Sequence, residues 1–90
     1  MSERELLIIK AILTFLDWLD GGQAVEPLIH AAAQTALRNQ GESAPSLAEL
    51  RACVVTCDQR GWVTGVAAKV TRQMKWSLSD EGKAALLELA

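Results

Sequence analysis

Ninety residues, half of them apolar and 22% charged, are enough for one domain with one small core, with no need of a metal or disulfide scaffold. A net charge of −2 does not favour a general polyanion binder. The chain has no tyrosine, one histidine, no glycine-rich phosphate loop and no metal-ligand spacing, which puts catalysis, cofactors and metals last among the function classes.

The first helix opens at Ser2, with Glu5 completing a capping box, and closes at Asp20-Gly21-Gly22. Glu3, Lys10, Thr14 and Asp17 gather on one narrow side of it. Apolar residues from Ile8 to Leu19 cover most of the rest. Such an arc fits either a central core helix wedged between other elements or a homodimer seam that sets Phe15, Trp18 or Leu19 against a second copy. Lys10 and Asp17 interrupt the apolar run and no cleavage site follows a basic start, so no membrane span is expected and a cytoplasmic protein is.

Gln23-Ala24-Val25 is a candidate short strand. Glu26-Pro27 starts a second helix that runs to about Asn39, with Gly41 after it and Leu28, Ile29, Ala32, Ala33, Ala36 and Leu37 facing inward. His30 stands alone and is expected at the surface or its rim. The linker from Gln40 to Pro45 is longer than the three or four residues of a tight helix-turn-helix, which leaves the angle to the next helix less determined.

A third helix spans roughly Ser46 to Arg60, opened by the Ser46/Glu49 capping box and stopped by Gly61. Leu47, Leu50, Cys53, Val54 and Cys57 form its apolar face, and Ala48, Glu49, Ala52, Val55, Thr56 and Gln59 its outer face. The two cysteines, four apart on a helix, read as reduced thiols. Trp62-Val63-Thr64 and Met74 to Leu78 form a hairpin in which Met74, Trp76 and Leu78 share one side, with Lys69, Arg72 and Lys75 at its tip. Arg60, Lys69, Arg72 and Lys75 give the stretch from Arg60 to Ser79 a charge of +4, and the rest of the chain carries −6. Ser79 caps a last helix, Asp80 to Leu89, that offers Ala84, Leu87 and Leu86 to the body of the domain.

From Ser46 onward, the order helix, Gly61-Trp62-Val63, basic hairpin and Trp76-Ser77-Leu78-Ser79-Asp80-Glu81-Gly82 resembles the second half of a winged helix-turn-helix domain. The resemblance implies a mostly α fold with a small β-hairpin: helix 1, a short strand, helix 2, helix 3, a two-stranded wing and helix 4. It also implies a DNA-binding protein, a transcriptional regulator or phage-type accessory factor, that holds double-stranded DNA with helix 3 and the wing. Thr56 and Gln59 would then meet base edges, and Arg51, Arg60, Lys69, Arg72 and Lys75 phosphates. Resemblance to redox-sensing members of the superfamily implies a thiol switch at Cys53 and Cys57; as small apolar residues with no clearly basic neighbour they fit the core better. The last helix stops at Ala90, short for dimerisation, so a homodimer would depend on helix 1. The alternative is a winged helix used for protein interaction, which the acidic balance and the small, neutral outer face of helix 3 suit.

Overall fold

In the computed structural model, which describes residues 1–70 and 72–89, the helices begin and end on local signals. α1 (Glu3–Trp18) starts at Ser2, whose hydroxyl accepts the Glu5 N–H at 3.1 Å. The Glu5 carboxylate takes the Ser2 hydroxyl at 3.4 Å, not the Ser2 backbone N–H that a full capping box requires. A turn with Asp20 and Gly21 at positive φ leads into β1 (Ala24–Val25). α2 (Glu26–Asn39) follows directly, with Pro27 in its first turn.

α3 (Leu47–Gln59) carries both halves of the Ser46/Glu49 capping box. It ends in a Schellman motif: Gly61 donates to the Asp58 carbonyl and Trp62 to the Cys57 carbonyl, at 3.0 and 2.9 Å. Gly61 sits at φ +74, where any side chain would be strained. β2 (Val63–Ala67) and β3 (Met74–Leu78) then pair antiparallel, from Val63 opposite Leu78 to Ala67 opposite Met74. β1 pairs on the other side of β3, with Ala24 opposite Trp76 and Val25 opposite Lys75, so the sheet order is β1-β3-β2. α4 (Asp80–Leu89) closes the fold. This element order and sheet are those of a winged helix.

α1 is the hub, packed against α2, α3, α4 and β3. Its Ile8, Ile9, Ile12, Leu13 and Leu16 are fully buried in one core with Ile29, Ala33 and Leu37 of α2 and Leu50, Val54 and Cys57 of α3. Each large side chain contributes roughly 1.5–3 kcal/mol by leaving water. The wide apolar arc therefore serves several neighbours within the chain, because a helix enclosed on three sides needs more than one stripe.

Three expectations change. Leu28 does not face inward; it is 50% exposed, because Ile29, Ala33 and Leu37 already set the buried stripe of α2. Leu47 is also partly exposed at the first turn of α3. In α4 the buried residues are Gly82 and Ala85, with Leu86 and Leu89 packed on the core, while Ala84 is exposed and Leu87 is 80% exposed. The phase is set at the start of the helix. Ser79 donates its N–H to the Trp62 carbonyl at 3.1 Å and its hydroxyl to the Gly61 carbonyl, and accepts the Gly82 N–H at 3.0 Å. Gly82 is thereby pressed onto Trp62, and the positions three, four and seven residues on follow it inward.

The linker before α3 is not slack. Pro45 is buried, His30 meets its carbonyl through Nε2 at 2.8 Å, and Arg4 donates Nη1 to the Ser43 carbonyl at 2.8 Å. Since a carbonyl only accepts, His30 carries its proton on Nε2. These anchors fix the angle of α3. No helix among the described residues is long and apolar enough to cross a membrane.

Candidate nucleic-acid interface

Burying Leu50, Cys53, Val54 and Cys57 turns the opposite side of α3 to solvent, and its outermost positions are Ala48, Ala52, Val55 and Gln59. All four are exposed, and none is charged. The charged residues of α3 lie on the flanks and are largely compensated. Glu49 accepts from Arg4 Nε at 3.2 Å and Nη2 at 3.4 Å, and the Arg4 hydrogen bonds, followed by the Ser46 N–H, hold its carboxyl below the usual range. Arg51 donates Nε to Glu26 at 2.7 Å. Arg60, at the C-cap, lies over the Trp62 ring, 5.3 Å from its centroid. Thr56 donates its hydroxyl to the Ala52 carbonyl at 3.1 Å, so only its acceptor side is free to meet a ligand.

The wing has a different balance. Residues 68–73 form its loop, closed by Ala68 N–H donating to the Gln73 carbonyl and Arg72 N–H to the Ala68 carbonyl, both at 2.9 Å. Arg72 has φ +59; Thr71 lies outside the described residues. Lys69 and Arg72 stand in this loop, both exposed, beside Val70, which is 94% exposed. Lys75 is not at the tip. The six-residue loop lets β3 begin at Met74, so Lys75 belongs to the central strand, between Val25 and Val66.

The faces of the wing also differ. Alternation puts Lys75 on the side opposite Met74 and Trp76. Lys75 joins Lys69, Val70 and Val25 around one shallow hollow, whereas Met74 and Trp76 share another with Arg51 and Glu26. The seven predicted contact residues thus do not form one patch. Lys69 and Lys75 converge, Arg72 extends from the turn, Arg51 lies across the sheet from them, and Thr56, Gln59 and Arg60 follow α3. Among the described residues, Lys69, Arg72 and Lys75 make no ion pair, unlike Arg4 and Arg51.

Neither Arg4 nor Glu26 was marked by the sequence, because each meets its partner across 45 or 25 residues and leaves no local pattern. Cys53 and Cys57 are free thiols buried in the core, and burial pushes both up, Cys57 to about 12. That suits apolar packing and leaves little reactive thiolate. Trp62 and Trp76 are half-buried over the core, away from the wing tip. Of the residues expected at a seam, Leu19 packs on the core, Phe15 is half-buried, and Trp18 is the exposed one.

The fold is similar to that of a solved structure of a transcriptional regulator from Clostridium thermocellum, with a TM-score of 0.75 over 98% of this chain and 82% of that one, at 13% identity. No protein-family model and no curated protein matches the sequence. At that identity the likeness is one of fold.

Proposed function

We propose that this winged helix is a small non-enzymatic DNA-binding protein, a transcriptional regulator or phage-type accessory factor of the cytoplasm, that holds duplex DNA chiefly through its wing. The observation that carries this is the set of uncompensated cations Lys69, Arg72 and Lys75 on a chain that is otherwise acidic. The regulator with the same fold supports it as an analogy. In this arrangement the wing neutralises phosphates, with Arg51 and Arg60 as further phosphate contacts, and α3 offers Thr56 and Gln59 to base edges and Ala52 and Val55 to thymine methyls. The absence of a cation at the centre of that face makes binding depend more on backbone charge than on sequence. Two copies joined through α1 would present two wings to one duplex.

The test is binding of a labelled mixed-sequence duplex over a range of salt, for the wild type and for K69A/R72A/K75A. The three wing contacts contribute about −2.7 to the slope of log K against log salt, which alone is a roughly 40-fold fall in affinity from about 50 to about 200 mM. The triple variant should lose that contribution and keep only the shallow slope of the remaining contacts. The small, uncharged outer face of α3, with Arg51 held by Glu26, favours a second reading as a protein-interaction module. Absence of binding at low salt would sink the DNA reading and turn the search to a protein partner on α1 and α3.

A further inference from the structure

Between α1 and α2 runs a surface groove of about 910 Å³, floored by Ala11, Ala32 and Ala36. Its two ends differ. Phe15, Trp18 and Leu28 stand at the end nearest the turn between the helices, and Lys10, Asn39 and Gln40 at the other. Trp18 is 78% exposed and stacks on Phe15, with ring centroids 6.3 Å apart, and the half-exposed Leu28 adjoins them. This is more apolar surface than one side chain left at random, and nothing among the described residues covers it. Beside it on α1, Lys10 and Asp17 lie two turns apart, both exposed and, among the described residues, without an ion pair.

We infer that this groove is occupied by the same groove of a second copy, related by a two-fold axis beside Thr14. That operation runs the two α1 helices antiparallel. It lays the bulky aromatic end of each copy over the far end of the other's groove, where Ala11 and Ala36 adjoin Lys10 and Asn39, so aromatic side chains meet small and polar ones at both ends. It also sets Lys10 of each copy between the partner's Asp17 and the partner's Trp18, giving an ion pair and an ammonium over an indole face, twice. The second copy is the occupant because the ends of the groove are complementary to each other in size and charge. The inference deepens the two-copy part of the reading above and is independent of its DNA part.

Sedimentation equilibrium of the full chain from micromolar to near-millimolar protein tests it. The wild type should approach twice its 9.7 kDa mass. W18E, at an exposed position that folding does not need, should stay monomeric with an unchanged circular dichroism spectrum. K10E and D17K should each weaken association by roughly tenfold, about 1.4 kcal/mol, and K10E/D17K should associate more tightly than either single variant but below the wild type, since the ion pair is exchanged while the ammonium over Trp18 is lost. A wild type that remains monomeric throughout, or a dimer indifferent to W18E, overturns the inference. A double reversal weaker than either single one overturns the register. K69A/R72A/K75A should dimerise like the wild type, which keeps this outcome separate from loss of DNA binding.

Discussion

Replacing Gly82 with alanine should destabilise the protein, although the same change in an exposed helix interior is stabilising by about 1 kcal/mol. A Cβ at this position would collide with the Trp62 carbonyl oxygen and lie 3.0 Å from the Trp62 carbonyl carbon and 2.7 Å from Leu78 Cδ1, where ordinary contact begins at 3.4 Å. A side-chain end could swing aside, but this obstacle is backbone, and the same carbonyl accepts the Ser79 N–H. To make room, α4 must lift from Trp62, straining that hydrogen bond and loosening Ala85, Leu86 and Leu89. Overpacking costs about 1–3 kcal/mol and a weakened hydrogen bond about 1, against a propensity gain of at most about 1. The net loss is about 2 kcal/mol. For a domain of this size that lowers Tm by roughly 8–16 °C, read by far-UV circular dichroism. A84G, at an exposed site in the same helix, should cost no more than about 1 kcal/mol. A G82A protein as stable as the wild type, or more so, would refute the close docking of α4 on Trp62.

Three further outcomes follow from the buried thiols and the half-buried His30. Cys57 is held protonated in the fold, to about 12, whereas an unfolded thiol ionises near its ordinary value of 9.0. Its contribution is therefore complete below about pH 9 and is lost as the pH climbs towards 12; urea titrations from neutral to high pH should show C57A falling less steeply than the wild type. Native protein should also react slowly with a thiol reagent at both cysteines until it unfolds, and rapid native labelling would contradict their burial. H30A, which leaves the Pro45 carbonyl without its donor, should cost about 1 kcal/mol in urea unfolding and raise amide exchange in the linker before α3.

What the sequence made legible is what depends on neighbours along the chain. Ser46 with Glu49 starts α3, Gly61 ends it, and Ser79 starts α4, because caps are built from residues within four positions. The side of β3 that holds Met74 and Trp76 was legible from alternation, whereas the strand at Ala24–Val25, too short for a pattern of its own, was suggested only by the winged-helix resemblance. Phase set by tertiary contact was not. The apolar positions of α4 allow two inward faces, and only the seat of Gly82 on Trp62 chooses Ala85 and Leu89 over Ala84 and Leu87. The candidate interface divides in the same way. A run of cations shows that the wing is basic, but whether a cation is free depends on distant acids. Glu26 neutralises Arg51, and Arg4 engages Glu49, without either pairing being visible in the pattern. Lys75 left the tip because β2 runs on to Ala67 and pairs Val66 with Lys75, whereas only Trp62-Val63-Thr64 read as the first strand.

The most direct test of DNA holding by the wing is the salt dependence of duplex binding, wild type against K69A/R72A/K75A, at a protein concentration below that of any self-association. The expected result is a log–log slope steeper for the wild type than for the triple variant by about 2.7, with much weaker affinity for the variant. Equal slopes for the two proteins, or no binding by the wild type at low salt, would contradict it.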